Sequence, residues 1–207
     1  MSWEPRDVTS LNGHTPGNEP LAFESVLEAA RVGAEWAWTR LYDSLAGTLL
    51  GYLRAQRAPD PEGVCGEVFC QLVRDIHRFE GDEAGFRSWV FVMVHHRLVD
   101  DVRRRMRRPE ATVSPETFLT VTDPIDVEAE VIRGATEAEL RMLLDELTEA
   151  QRDVLLLRVF GGLTMEEVAR TMARRLGAVK ALQRRGLEAL RVKLDERGLY
   201  PSEARER

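Results

Sequence analysis

Apolar residues recur at helical spacing through the first quarter of the chain. Between about Leu21 and Arg57 they return every three or four positions, with Gly33, Gly47 and Gly51 as weak points, which predicts one or two amphipathic helices. Asp60 followed by Pro61 is typical of an N-cap and a first helical residue, so another helix should begin there and run to about Ile76. We expect these helices to pack through their apolar faces.

A further apolar segment begins at Phe86 and has no polar face. The glycine-containing residues 79–85 before it are expected to form a loop. Its apolar residues fall on every side of a helical wheel, and such a helix belongs in the middle of its neighbours. An arginine run begins at Arg103, and Pro109 is expected to end this part of the chain.

The last third of the chain predicts four helices. The first covers about residues 140–147 and the second begins at Thr148, with Gly161-Gly162 as its stop signal. Thr164 and Glu167 have the spacing of a capping box, which predicts a third helix from Met165 to Met172. A fourth helix should carry Val179 and run until Gly198.

These patterns predict an all-α protein of two small helical domains joined by an acidic linker, with no sheet signature. The expected parts are an N-terminal tail at 1–20, a helical bundle at 21–109, the linker at 110–138, a helix-turn-helix domain at 139–198 and a C-terminal tail at 199–207.

Charge is distributed very unevenly, although the net charge is only −6 over 207 residues. Residues 97–108 and 170–193 are strongly basic, whereas 110–149 holds eleven acidic and two basic residues. Basic blocks of this kind favour an acidic partner such as nucleic acid. The acidic linker either keeps the basic domains off random DNA or holds them together in a closed free state.

Two short helices joined by a tight turn, the second of them basic, are typical of a helix-turn-helix DNA reader. With Val179 directed inward, Lys180, Ala181, Arg184 and Arg185 lie on or beside the outward face, where they would enter a major groove. Arg174 and Arg175 are expected on phosphates near the helix N-terminus. An ordinary solvated helical hairpin is the simpler alternative.

The arginine run after the apolar helix is weaker evidence by itself, because arginines also suit a helix C-terminus. The loop from Phe79 to Arg87 adds aromatic residues beside arginines, an arrangement that stacks on unpaired bases. The simpler alternative is that the aromatic residues Phe86, Trp89 and Phe91 belong to the core.

Little in the sequence favours catalysis or a cofactor. His95 and His96 with nearby acids do not have metal-ligand spacing, and no phosphate-binding loop or nucleophile motif occurs. We therefore expect no enzyme activity, no metal and no cofactor. Cys65 and Cys70 are interpreted as buried apolar residues. Without a secretory signal or a spanning segment, we expect a cytoplasmic protein with no membrane insertion.

Two stretches resemble the sigma-70 family of RNA polymerase sigma factors, in its small extracytoplasmic-function type (group 4). Residues 41–54, 67–69, 77–79 and 86–100 with the following arginines are similar to region 2. Residues 147–158, 162–169 (GLTMEEVA) and 177–180 are similar to region 4.

The resemblance implies a non-catalytic subunit that gives core RNA polymerase its promoter specificity. Region 4 would read the minus-35 element through the outward basic residues named above. Region 2 would capture flipped bases of the minus-ten element through Phe79, Phe86, Arg87, His95, His96, Arg97, Arg103, Arg104 and Arg105. The polymerase-binding helix would contribute Asp60, Glu62, Val64, Glu67, Val68 and Leu72. The expected partners are core polymerase, promoter DNA and an anti-sigma factor, with a monomer in the free state.

Two departures from the family pattern change what we expect. Gly63 and Gly66 stand where the polymerase-contacting helix commonly has an acidic residue and a glutamine, so Glu62 and Glu67 are the acids left on that helix. Ala173 and Arg175 stand where the turn before the recognition helix commonly has a glycine and a capping serine or threonine, so we expect a strained or reshaped turn. An autonomous helix-turn-helix regulator with an N-terminal sensing or dimerisation domain remains the alternative.

Overall fold

The computed structural model describes residues 22–106 and 142–196. Both ranges are helical, and neither contains a β-strand, which confirms the predicted fold class. The expected tails at 1–20 and 199–207 and the linker at 110–138 lie outside the described residues, as do Arg107 and Arg108.

The N-terminal half contains α1 (Phe23–Arg31), α2 (Glu35–Ala55), α3 (Pro61–Asp75), a 3-10 turn (Ile76–Arg78) and α4 (Glu83–Met106). Of the three predicted weak points, Gly33 separates α1 from α2 with a φ of +82°, whereas α2 continues through Gly47 and Gly51. Asp60 caps α3 as predicted, because its carboxylate accepts the amide of Gly63 at 2.9 Å.

α4 begins three residues before the predicted Phe86. The reason is a cap that the apolar pattern did not reveal: the Asp82 carboxylate accepts the amide of Gly85 at 2.8 Å. The predicted central position is confirmed, since α4 packs against both α2 and α3. Val90, Phe91 and Val94 are fully buried in its middle.

The described C-terminal half contains one helical turn at residues 142–145, then α5 (Glu149–Val159), α6 (Met165–Thr171) and α7 (Leu176–Glu196). The predicted capping box of Thr164 and Glu167 is confirmed, and a second one joins Thr148 and Gln151. α7 packs across both shorter helices, so it is held from two sides.

The turn between α6 and α7 passes through Ala173 at a φ of +50°, which confirms the strain expected there. The amide of Ala173 donates to the carbonyl of Arg170, and the amide of Arg174 donates to the carbonyl of Ala169 at 2.9 Å. This is the Schellman pattern of helix ends, in which the left-handed position usually holds glycine.

The cores of the two halves form one cluster. Tyr52 of α2 contacts Phe91 of α4, with ring centroids 5.4 Å apart, and Phe160 beyond α5, with centroids 6.2 Å apart. The described halves are therefore packed against each other.

Candidate nucleic-acid interface

α7 presents a basic face to solvent. Val179, Gly186 and Leu190 are buried on its inner side, and a Cβ on Gly186 would lie 3.0 Å from Leu155 Cδ1, so α7 lies close to α5. The predicted minus-35 residues lie on the other side. Arg174, Arg175, Lys180, Arg184 and Arg185 are exposed, and Ala181 is partly exposed.

Most basic side chains of this face are not neutralised by an acidic neighbour. Among the described residues, Arg174, Arg175, Lys180 and Arg184 form no ion pair. The Arg185 guanidinium donates only to the carbonyl of Ala181, on its own helix. Positive charge held in this way can exchange solvent counterions for phosphates.

The arginines at the end of α4 are arranged differently, because acidic residues surround them. Arg97 and Arg104 each lie 3.7 Å from the Glu67 carboxylate of α3. Arg105 lies 3.6 Å from Asp60 and 2.8 Å from Asp101. Arg103 also pairs, at 4.0 Å, with Asp100. The structure thus brings together residues that the sequence assigned separately to polymerase and to minus-ten DNA.

Phe79 and Phe86 lie inside an aromatic cluster. Their ring centroids are 5.1 Å apart, and Phe79 also stacks on Trp89 at 5.3 Å. Only 7% of Phe79 and 2% of Phe86 are exposed. Neither side chain has the surface that a contact with the minus-ten strand requires, so the structure corrects this part of the prediction.

His95 is also buried, and it cannot contact DNA in this conformation. Its Nδ1 lies 3.0 Å from the hydroxyl of Tyr52. Burial, and to a lesser extent the neighbouring His96, lowers the pKa of His95 to about 4, so the ring is neutral at physiological pH. His96, one residue further, is exposed, with its Nε2 3.2 Å from the carbonyl of Thr171.

Three of the predicted polymerase-binding residues are core residues. Val64, Val68 and Leu72 form the inner face of α3 and are buried, so they cannot form a docking surface. Asp60, Glu62 and Glu67 are exposed. Glu62 pairs with Arg54 at 2.8 Å, and this hydrogen bond lowers the pKa of its carboxyl.

The accessible outer face of α2 and α3 was not among the predicted sites. An open apolar groove of about 400 Å³ lies there, lined by Trp38, Thr39, Tyr42, Phe69, Cys70 and Val73. Cys65 is buried as predicted, but Cys70 is exposed in this groove, so its predicted burial is wrong. Helical spacing alone could have indicated the groove, since Trp38 and Tyr42 are four residues apart, as are Phe69 and Val73.

Trp89 was also absent from the predicted sites. It is half-buried and lines a cavity of about 350 Å³ between the two halves, together with Ser88 and His96 of α4 and Glu167, Arg170 and Thr171 of α6. Its position three residues after Phe86 placed it on the same helix face as that residue.

No helix in residues 22–106 or 142–196 is long and apolar enough to cross a bilayer. Those same ranges contain no group of three or more His, Cys, Asp or Glu side chains that could hold a metal ion.

Two family models match the chain in the same order as its two helical halves. The model of sigma-70 region 2 matches residues 38–108, and that of sigma-70 region 4 matches residues 143–192. The region 2 match disfavours the autonomous regulator, because such a regulator requires only the C-terminal helix-turn-helix.

Curated relatives of the chain are described as ECF RNA polymerase sigma factors. The ECF RNA polymerase sigma factor ShbA of Streptomyces griseus is 31% identical over 132 residues, which cover 63% of this chain and 69% of that protein. The ECF RNA polymerase sigma factor SigK of Mycobacterium tuberculosis H37Rv is 31% identical over 137 residues, covering 62% and 69% respectively.

A solved structure, of CnrH in complex with the cytosolic domain of CnrY, superposes with a TM-score of 0.53 at 20% identity. It covers 83% of this chain and 96% of CnrH, and it supports the fold. Together with the two region models and the curated relatives, these findings lead to one conclusion: the chain belongs to the sigma-70 family, among the ECF RNA polymerase sigma factors.

Proposed function

We propose that this chain directs RNA polymerase to promoters and that each half of the protein binds a different promoter element. α7 binds the minus-35 element as double-stranded DNA, and α4 binds the unpaired minus-ten strand. The observation that carries the proposal is the exposed basic face of α7, held on α5 and α6. A helix supported in this way can enter a major groove about 12 Å wide.

On α7, Arg184 and Lys180 are the proposed base readers. They lie one helical turn apart on the same exposed face, and arginine and lysine donate to guanine O6 and N7 in the major groove. Arg174 and Arg175 precede the helix and contact phosphates. Arg185 lies at the side of the same basic face and adds positive charge to it.

On α4, the proposed strand-binding face combines Arg87, Trp89 and His96 with the arginines at positions 97, 103, 104 and 105. Trp89 replaces the buried Phe79 and Phe86 as the stacking surface. The ion pairs of Arg97 and Arg104 with Glu67 are long, at 3.7 Å, so exchanging Glu67 for a phosphate costs little. Arg97 is half-buried and also donates its Nε to the Gln71 side chain at 3.1 Å.

Polymerase docks on the outer face of α2 and α3. A soluble helical bundle rarely leaves an apolar groove open beside exposed side chains such as Tyr42 and Val73 unless a partner covers it. Glu62 and Glu67 are also exposed on α3, where Glu62 pairs with Arg54 and Glu67 lies 3.7 Å from Arg97 and Arg104. Gly66 on the same helix is exposed and contributes no contact of its own.

The functional units proposed are 21–109 for polymerase and the minus-ten strand, and 139–198 for the minus-35 element, with 110–138 between them. The chain is proposed to act without chemistry of its own. The structure of CnrH includes the cytosolic domain of CnrY. We extend to this chain the proposal of a protein partner of that kind.

The test is transcription from a promoter library by core RNA polymerase with and without the purified chain. Initiation at a defined set of start sites that needs the chain supports the proposal. Sequence-specific duplex binding by a dimer, with no change in initiation, would instead support the autonomous regulator.

A further inference from the structure

A cavity of about 350 Å³ lies between α4 and α6. Pockets that bind small molecules usually have volumes of about 300–1,000 Å³, and a cavity of about 150 Å³ can hold benzene. This cavity therefore has room for about two fused rings with a substituent. Its lining residues are Gly85, Ser88, Trp89, Val92 and His96 of α4, with Glu167, Arg170 and Thr171 of α6.

The walls of the cavity are held in place by contacts between the two halves. The Arg87 Nε donates to the carbonyl of Phe160 at 2.8 Å, and the Gln56 amide donates to the Asp153 carboxylate of α5 at 2.8 Å. α4 and α6 are also in direct contact. The cavity thus belongs to the folded protein, and a ligand that fits it binds without a cost for opening the site.

Trp89 supplies the apolar side of the cavity. Its side chain is half-buried, and its ring is stacked on Phe79, with centroids 5.3 Å apart and an angle of 30° between the planes. Phe86 lies beside the same ring, at a centroid distance of 5.9 Å. Val92, almost one turn further along α4, adds an aliphatic surface. A flat apolar wall that is fixed in this way favours an aromatic ring as its partner.

Arg170 supplies the positive charge of the cavity. The residue is exposed and lines the cavity from α6, and it forms no ion pair with any other residue in 22–106 or 142–196. A guanidinium can donate two parallel hydrogen bonds to one carboxylate, which adds geometric specificity to the attraction of charge. A planar carboxylate is therefore the ligand group that this side chain fits best.

Three of the other polar side chains of the lining already have partners. Glu167 Oε2 accepts the amide of Thr164 at 2.7 Å and the Thr164 hydroxyl at 2.9 Å, as part of the capping box. The Thr171 hydroxyl donates to the carbonyl of Glu167 at 2.8 Å, and His96 Nε2 lies 3.2 Å from the carbonyl of Thr171. The negative charge of Glu167, three residues before Arg170, disfavours a ligand with several negative charges. A singly charged carboxylate thus suits the lining better than a phosphate.

We propose that the cavity between α4 and α6 binds a small aromatic monocarboxylate. The aromatic ring packs against Trp89 and Val92, and the carboxylate accepts two hydrogen bonds from the Arg170 guanidinium. This site goes beyond the proposed function, because promoter recognition requires no such ligand. Since the ligand contacts both α4 and α6, its binding should also raise the thermal stability of the full chain.

The test is isothermal titration calorimetry of the full chain with three probes. 2-Naphthoate carries both features of the proposed ligand, 2-naphthamide lacks the negative charge, and decahydro-2-naphthoate lacks the aromatic rings. We expect 2-naphthoate to bind with a Kd of roughly 0.1–1 mM, as suits a ligand of this size. Each of the other probes should bind roughly tenfold more weakly, because it loses one of the two contacts.

Arg170→Gln is the decisive variant, because a change in ligand preference separates recognition of charge from a loss of fold. The variant should bind 2-naphthoate and 2-naphthamide equally, whereas the unaltered chain should prefer the carboxylate by roughly tenfold. Arg170→Lys keeps the charge without the planar fork and should keep part of that preference. The matched control is Arg40→Gln, which removes an exposed arginine from α2 and should leave the preference unchanged.

Nuclear magnetic resonance locates the bound probe. The chain has four tryptophans, and each gives one indole N–H signal. Trp89→Phe identifies the signal of the cavity, and Trp38→Phe identifies that of the groove between α2 and α3. We expect 2-naphthoate to shift the Trp89 signal the most. A larger shift of the Trp38 signal would place the probe in the groove and would overturn the inference.

Three further results would overturn it: no binding of 2-naphthoate at millimolar concentration, equal affinity of the unaltered chain for 2-naphthoate and either other probe, or an unchanged preference in Arg170→Gln. Circular dichroism checks the fold of each variant, and Arg170→Lys decides if Arg170→Gln does not fold. Tighter binding of thymidine 5′-monophosphate than of 2-naphthoate would assign the cavity to nucleotides and reject the carboxylate.

These measurements need neither polymerase nor promoter DNA, so they are independent of the library transcription assay. Failure of the chain to direct initiation would remove the proposed function alone. Failure of the chain to bind 2-naphthoate would remove only the ligand site.

Discussion

The hydroxyl of Tyr52 lies 3.0 Å from Nδ1 of His95, and both residues are buried between α2 and α4. The Tyr52 oxygen also accepts the amide of Gln56 at 3.3 Å, so its own proton is directed to His95. This arrangement assigns the hydrogen of the neutral imidazole to Nε2. One chain of hydrogen bonds therefore runs from the core through Gln56 to Asp153.

Tyr52→Phe should break this series of hydrogen bonds at its centre. The substitution leaves Nδ1 of His95 buried without a donor, and we expect the free energy of unfolding to fall by about 1–2 kcal/mol. Urea unfolding measures the loss. Tyr42→Phe is the matched control, because Tyr42 is 52% exposed, and an equal loss in the two variants would contradict the importance of the hydrogen bond.

Asp153→Asn should stabilise the folded protein at pH 6 and above. Burial chiefly, with the charge of Glu149, raises the pKa of Asp153 to about 6, against the opposing effects of Gln56, Arg152 and Arg174. The ordinary carboxyl pKa is 3.8. A raised carboxyl pKa contributes stability that is present below the ordinary value and lost as the pH rises through the raised one.

The advantage of Asp153→Asn should therefore be near zero at pH 4, grow between pH 4 and 6, and reach up to about 2 kcal/mol at pH 8. Urea unfolding of both proteins at several pH values measures it. His95 titrates in the opposite sense, because its lowered pKa makes stability fall as the pH drops from 6.5 towards 4. His95 is common to both proteins, so the difference isolates Asp153. A stability difference that did not depend on pH would show that the titration of Asp153 is not its cause.

Ala173→Gly should raise the free energy of unfolding by about 0.5–1 kcal/mol, because glycine adopts the left-handed conformation of this turn without strain. Gly162→Ala is the reciprocal test. Gly162 has a φ of +64° and open space around its Cα, so the added methyl introduces strain without a clash and should destabilise by about 1 kcal/mol. Thermal unfolding would show both shifts, and shifts of the same sign would exclude strain as their cause.

Arg184→Ala should weaken binding of the holoenzyme to its minus-35 element by about 1–3 kcal/mol and relax base preference at one position. The side chain is exposed on α7 and forms no ion pair among the described residues, so its loss does not disturb the fold. Competition binding with point-substituted promoters measures the effect. Arg40→Ala removes the same charge from the exposed surface of α2 and should leave base preference unchanged.

Val73→Glu should weaken association with core polymerase by roughly tenfold or more, because it places a charge in the apolar groove of α2 and α3. Val73 is 57% exposed, so the fold should tolerate the change. Val32→Glu is the matched control, at an 84% exposed valine between α1 and α2. Equal affinity of the two variants for polymerase would remove the groove from the docking surface.

Signals that act within one helical turn were readable from the sequence. The Asp60 cap and the box of Thr164 and Glu167 follow from residues three positions apart, whose geometry the backbone fixes. The outward basic face of α7 was readable for the same reason, since a helix with one buried stripe leaves only one orientation for Lys180 and Arg184. The strained turn at Ala173 was expected from the family resemblance, because this position commonly holds a glycine.

Only the tertiary structure decided what covers an apolar or charged helix face. A wheel of α4 could not separate the buried Phe86 and His95 from the half-buried Trp89, because the neighbours that enclose them are other helices. The contact of Gln56 with Asp153 joins positions 97 residues apart, and no periodicity marks such a pair. Local spacing determined the helices and their caps, whereas burial between distant helices decided which residues remain available to partners.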